Sequence, residues 1–183
     1  MLKHISLISK IIIFANLFQN MKYKLKKLPH LSGNKATIYS VVIDDNDKSL
    51  YELFLAENFS LYISEIIYIN KRLEIIGKKT GAREGFFKMF EGKYGDCVCA
   101  LYDEPEYNLR LYCIRYDTQI VIVGGGGEKN VRALQDDPKL KRENYILRDL
   151  SKLIAEKLND EISFSIDGLE FEGNLELDDE INL

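Results

Sequence analysis

Histidine is the scarcest catalytic residue type in this chain, with only two among 183 residues, His4 and His30. Both fall in the N-terminal region, ahead of the first strand that the pattern predicts. That placement argues against a Ser-His or Cys-His nucleophile system in the body of the protein. Cysteine is nearly as scarce. Cys97, Cys99 and Cys113 cannot all pair, and nothing in their spacing forms a disulfide framework. Three thiolates could hold zinc only with a fourth ligand, and no histidine lies near enough in sequence to be one. Buried free thiols are the expected state, and a reducing cytoplasm the expected compartment. A membrane-spanning run is also missing. "MLKHISLISKIIIFANLFQN" is apolar but too short to cross a bilayer, is interrupted by Lys10, and lacks a small-x-small cleavage site. Met21 opens the more polar "MKYKLKKLPHLSGNK", and two readings follow: Met21 is the natural start, or 1–20 is a poorly ordered extension.

What is present is an ordinary globular balance, 46% hydrophobic and 30% charged, on a chain long enough to bury one core without staples. The net charge of −4 is unevenly spread: +2 over residues 1–70, +3 over 71–142 and −9 over 143–183. Overall acidity therefore leaves room for a local anionic ligand in the middle of the chain. The tail admits two readings. It is a solvated face, or it folds near the basic middle and mimics a nucleic acid or a partner segment.

The pattern predicts a strand at Lys35–Asp45 and a helix at Lys48–Asn58, with Ser49 as cap and Glu52 completing a capping box. A longer amphipathic helix follows over Ser60–Lys79. Its expected buried stripe is Ile63, Ile66, Ile67, Leu73 and Ile76, and its expected terminators are Gly77 and Gly81. Strands at Cys97–Asp103, Leu109–Asp117 and Gln119–Val123 read as an antiparallel meander. Asp136–Asp160 reads as a helix capped by Asp137, with Pro138 in its first position and Leu147, Leu150, Ile154 and Leu158 on its apolar face. "ISFSIDGLEFEG" reads as a hairpin with a two-residue turn at Asp167-Gly168. The fold class expected is α+β, β-α-α-β-β-β-α, with a mainly antiparallel sheet, helices on one face and an acidic C-terminal hairpin.

The run "IVIVGGGGEKN" invites a phosphate-binding reading and fails it. A Walker A loop needs glycine before its lysine and Ser or Thr after, but Glu128 precedes Lys129 and Asn130 follows. A dinucleotide fingerprint needs a third glycine where Lys129 stands. Glycines at a strand end instead allow bulges and close backbone approach. The strand "LRLYCIRYD" says more. Alternation turns Leu109, Leu111 and Cys113 toward the helices, and Arg110, Tyr112, Ile114 and Tyr116 the other way. A guanidinium and two phenol rings on an open sheet face would suit RNA, one binding phosphate and the others stacking on bases. The plainer reading is an amphipathic strand whose arginine pairs with an acidic neighbour.

"GAREGFFKMFEGKYGDCVCALYD" followed by "LRLYCIRYDTQIVIVGGGGEK" resembles the RelE/ParE superfamily of toxin–antitoxin toxins, especially its Gp49/HigB-like members. The resemblance covers roughly residues 36–135. It divides the chain into an N-terminal extension (1–34), a RelE-like toxin domain (35–135) and a C-terminal helix with acidic hairpin (136–183). It implies metal-free and cofactor-free cleavage of mRNA on the ribosome by attack of the substrate's own 2′-OH, and a cognate antitoxin as partner. It also implies a monomer, or a hetero-oligomer with that antitoxin, away from the membrane. Arg110 matches the middle-strand arginine expected at the scissile phosphate. Lys129 or Arg132 matches the basic position after the last strand, and Tyr145 is the candidate for a C-terminal tyrosine. Tyr112, Tyr116 and Lys93 are the candidate RNA contacts. Departures from the pattern are the absence of basic residues in Cys97–Asp103 and of a core histidine. The same scaffold also carries gyrase-directed toxins that act by binding protein, and a non-toxic regulatory module is a third reading.

Overall fold

The structure is a computed structural model that describes residues 21–102, 108–129 and 136–178. Its centre is a seven-stranded sheet: β1 (Tyr23–Lys27), β2 (Thr37–Ile43), β3 (Phe87–Lys88), β4 (Val98–Leu101), β5 (Leu109–Tyr116), β6 (Ile120–Glu128) and a late edge strand, Glu176–Leu177. Across the sheet the order is β3-β4-β5-β6-β2-β1 and then Glu176–Leu177. All pairings are antiparallel except β2 with β6. The α+β class and the mainly antiparallel sheet are as the sequence pattern predicts.

The connection from β2 is helical. Helix α1 (Leu50–Asn58) starts at Ser49, whose hydroxyl accepts from the Glu52 N–H while the Glu52 carboxylate accepts from the Ser49 backbone at 2.8 Å. This is the predicted capping box, and it satisfies helix-end donors that would otherwise be unpaired. Helix α2 (Ile63–Ile75) continues into a π-turn at Ile76–Thr80. Gly77 lies inside that turn rather than ending the helix. Its carbonyl accepts from the Lys35 and Ala36 amides, and a Cβ there would fall 1.9 Å from the Leu31 carbonyl oxygen. Gly81, with φ of 73°, is the terminator. The expected stripe of α2 needs correction. Ile66, Ile69, Leu73 and Ile76 are buried, whereas Ile63 and Ile67 are exposed. The helix is rotated so that Ile69, which the period count omitted, reaches the core.

Helix α3 (Pro138–Lys157) begins as predicted, with the Asp137 carboxylate accepting from the Leu140 N–H at 2.9 Å and Pro138 in the first turn. Its position overturns the expectation of helices on one face. Helices α1 and α2 cover the side bearing Ile38, Cys99, Leu111, Cys113 and Val121. Helix α3 covers the opposite side, where Leu147, Leu150 and Ile154 pack on Tyr112, Ile114, Ile120 and Ile122. The strands show why: β2, β4, β5 and β6 are apolar on both faces, so a bare second face would leave large aromatic and branched side chains in water. Each such side chain contributes roughly 1.5–3 kcal/mol when withdrawn from solvent.

Tyr23–Lys27, assigned by sequence to an extension, supply β1. Their apolar members Tyr23 and Leu25 are buried while the lysines project outward. The tail returns to this strand. Its hairpin, β7 (Ile162–Phe164) with β8 (Phe171–Gly173), packs Phe171 against Tyr39 and Tyr116 with ring centroids 5.6 and 5.5 Å apart. The final strand, β9 (Glu176–Leu177), pairs with β1. The hairpin turn is wider than the predicted Asp167-Gly168 pair, because the Asp167 carboxylate accepts from the Leu169 amide and the Ser165 hydroxyl. Among the described residues the acidic tail lies on the lysines of β1, through Lys24–Glu176 at 2.6 Å and Lys27–Glu170 at 2.5 Å. Among the described residues no helix is long and apolar enough to cross a membrane.

Two outcomes test this architecture. Truncating Phe171 to Ala should cost about 3 kcal/mol in urea unfolding, because the ring fills the space between Tyr39 and Tyr116; an exposed, decorative hairpin would give almost no change. The Ser49 hydrogen bonds hold the Glu52 carboxyl down at about 2, from an ordinary 4.5. Because the folded value is the lower one, this contribution is present above about pH 4.5 and is lost as pH falls toward 2. Stability of Glu52→Gln, followed by circular dichroism, should therefore fall less over that interval than that of the parent chain.

Candidate functional site

Arg110 projects from β5 onto the face that α3 covers. Its guanidinium donates to Glu91 Oε2 at 3.1 Å, and the side chain is only 17% exposed. Glu91 is more buried still and is shared with Lys88 at 2.6 Å, while its carbonyl accepts from Asn144 of α3 at 2.8 Å. The arginine thus has an acidic partner, as the plainer reading of the strand expects. The open sheet face expected around it is a correction: α3 closes it. Tyr112 is fully buried, and burial pushes its hydroxyl up to about 12 against the opposing charge of Arg110. Tyr116 is enclosed by Phe164 and Phe171, with burial raising it as well. Neither ring is placed to stack on a base.

Lys129 follows β6, its amide donating to the Asn108 carbonyl at 2.6 Å. It sits at the same end of the sheet as Arg110, whose strand partner is Gly127. Arg132 lies outside the described residues. The anchor of this end is one the sequence reading missed. Glu65 of α2 is 1% exposed and accepts from the Asn108 side chain and from the Asn108 and Leu109 amides, at 2.9, 3.1 and 3.2 Å. Cys99 and Cys113 face each other across β4 and β5 with thiols pushed up by burial, Cys99 to about 12, while Cys97 is exposed and apart from them. Among the described residues no group of three or more His, Cys, Asp or Glu is placed to hold a metal ion.

The glycine run answers its own question in packing terms. Between Leu111↔Gly126 and Cys113↔Val123, β6 takes three steps where β5 takes two, so the extra residue makes a bulge within the glycines. Helix α3 then presses onto the bare strand. A Cβ on Gly124 would meet the Leu147 side chain at 2.7 Å, one on Gly125 the Glu143 carboxylate at 2.1 Å, and one on Gly126 the Arg110 carbonyl at 1.9 Å. The run is packing surface, for α3 at Gly124 and Gly125 and for β5 at Gly126, not a phosphate cradle.

Lys93, the remaining predicted contact, lies elsewhere and in better company. An open groove of about 510 Å³ runs between the loop ahead of β4 and one side of α3. Lys93 and Tyr94 form one wall; Tyr145, Arg148 and Lys152 form the other. Tyr94 is 99% exposed, on a loop that Asp96 organises by accepting from the Lys93 and Val98 amides at 2.6 and 3.2 Å. The Asp96 carbonyl also accepts from the Ser151 hydroxyl of α3 at 2.6 Å, which ties the walls together. The Arg148 guanidinium lies 4.6 Å above the Tyr145 ring and 3.4 Å from Asp96. Of the two acidic groups in the groove, Asp96 is thus engaged, and Asp149 accepts from the Tyr23 hydroxyl at 2.8 Å. The positive excess at the groove mouth is Lys93 and Lys152, the latter in a solvent-exposed pair with Glu156. Tyr145 is already a candidate by sequence, and the same helix face could have flagged Arg148, three residues on. Sequence could not pair them with Tyr94, some fifty positions upstream.

Alanine at Gly126 should destabilise the fold by roughly 1–3 kcal/mol, because backbone rather than a flexible side chain stands in the way. Alanine at Gly127, where the nearest obstacle is the Lys139 side chain at 3.4 Å, should change it by less than about 0.5 kcal/mol. Equal effects in denaturant titrations would contradict the packing account of the run. In comparisons with known proteins, no family model matches the chain, and neither a curated protein nor a solved structure is significantly similar to it.

Proposed function

We propose that the chain is the toxin component of a toxin–antitoxin pair, acting on RNA through the groove between the Lys93–Asp96 loop and α3. The carrying observation is that groove. It sets an exposed phenol ring and a second ring under a guanidinium beside two lysines. Single-stranded nucleic acid is bound by this combination, aromatic faces for the bases and cations along the phosphates. Element order supports the kinship in part: within the span of the resemblance a strand, two helices and the β4–β5–β6 meander follow in turn, with β1 and β3 as additions to that order. In this reading Arg110 is a positioning residue. Through Glu91, whose carbonyl is held by Asn144, it ties the loop leading into the groove to β5 and α3. Arg148 is the guanidinium that lines the groove, and in this reading it contacts phosphate.

A protein-directed toxin is the second reading. It is favoured by an apolar ledge at the α1–α2 turn, where Phe59, Leu61, Ile63 and Ile67 are between about half and three quarters exposed. The two readings separate cleanly. Induced expression should arrest growth with loss of mRNA integrity, and Tyr94→Ala should weaken binding of a labelled single-stranded oligoribonucleotide on the order of tenfold. Lys93→Ala should reduce the slope of affinity against salt by about one phosphate contact. Growth arrest with intact mRNA, abolished by Ile67→Lys but not by Tyr94→Ala, would overturn the RNA reading in favour of the protein one.

A further inference from the structure

A second cleft, of about 260 Å³, opens between α1, β6 and α3 and shares no residue with the groove just described. Its floor is the bare backbone of Gly125 and the carboxylate of Glu143, and its apolar wall is formed by Leu50 and Phe54. Glu143 is 7% exposed, and its Oε2 has no hydrogen-bond partner. That oxygen lies where a side chain on Gly125 would be, 2.1 Å from a built Cβ, so glycine is what makes room for it. The nearest cation does not serve it. Arg142 Nη1 is 3.9 Å from the other oxygen, beyond hydrogen-bond reach, on a side chain that is 53% exposed. Lys139 is engaged with Glu57 at 2.5 Å. Burial pushes the Glu143 carboxyl up, and the charge of Glu57 adds to this, while Arg142 and Lys139 oppose both.

A carboxylate withdrawn from water without donors is costly, and buried polar groups are as a rule satisfied. We infer that this cleft is a binding site for a guanidinium group, with Glu143 as its acceptor and the Gly125 backbone as its floor. A guanidinium suits the place better than an ammonium or a metal ion. It is planar and weakly hydrated, its N–H groups can donate to the Glu143 carboxylate, and one of its faces can lie against the apolar wall that Leu50 lines. Entry requires Arg142 to swing outward, which its half-exposed side chain permits. The site stands independently of the RNA reading, since it uses none of that groove's residues.

The test uses the full chain and two probes, N-acetyl-L-arginine amide and free L-arginine, followed by the carbon NMR signal of the Glu143 carboxyl, with N-acetyl-L-lysine amide as control. The expected result is a saturable shift of that signal with the arginine probes. Glu143→Gln should weaken binding by at least about tenfold, and Arg142→Ala should leave it equal or tighter. Equal affinity for both arginine probes would mark the side chain of a partner protein as the occupant; stronger binding of free arginine would mark a small molecule. No saturable shift in the parent chain, or equal binding of the lysine control, would overturn the inference. So would binding that survives Glu143→Gln unchanged. The parent-chain titration decides the matter even where the variant fails to fold.

Discussion

Helix α3 lies on β6 at glycine distance, and the remainder of the molecule is arranged around that contact. Ordinary side chains at 124 and 125 would hold the helix off the sheet, since Leu147 and Glu143 already occupy the space, and one at 126 would push against the Arg110 carbonyl of β5. With glycine there, the helix closes the second sheet face over Tyr112, Ile114 and Ile122. Closure takes Arg110 out of open water and leaves Glu91 as its partner. It also brings Ser151 and Arg148 to the Asp96 loop, which creates the aromatic and cationic groove. On its other flank the same helix lowers Glu143 onto Gly125 and creates the second cleft. One packing decision thereby moves the chemistry from the strand face to the two flanks of a helix.

Charge follows a parallel logic. The basic run that opens with Met21 and the acidic run at the other end look like separate solvated segments when read as composition. In the fold they are adjacent strands, with Lys24 opposite Glu176 in register. Such exposed pairs contribute little stability individually. Their role is to set which edge the tail can join, because β1 would otherwise offer an unpaired strand edge. The tail is thus a structural element, seated through Phe171 and β9.

Local signals were legible in the sequence where the physics is local. The Ser49–Glu52 box, the Asp137-Pro138 helix start and the tight β5–β6 turn of the meander depend on residues close in sequence, and the structure has them, although β6 runs on to Glu128, beyond the expected end at Val123. Signals that depend on a distant partner were not legible. Alternation correctly divided Leu109, Leu111 and Cys113 from Arg110, Tyr112, Ile114 and Tyr116, but a period of two does not say what covers either side. Continuation of β6 through four glycines contradicts strand propensity and is decided by α3. Strand β1, with lysines at alternate positions, reads as a tail until its apolar partners Tyr23 and Leu25 are seen on the sheet. Of the site, Lys93 and Tyr145 were legible one at a time; their convergence with Tyr94 and Arg148 belongs to tertiary structure.

The central claim, that α3 seals the second face of the sheet and leaves the groove beside it open, is tested most directly by tyrosine accessibility. Hydroxyl-radical footprinting of the intact chain, resolved by residue with mass spectrometry, compares rings within one molecule. Tyr94 should react at the rate of a free side chain while Tyr112 and Tyr116 remain protected until unfolding. Reaction of Tyr112 at a rate comparable to Tyr94 in the native protein would mean that the strand face is open, and the account built on α3 would be contradicted.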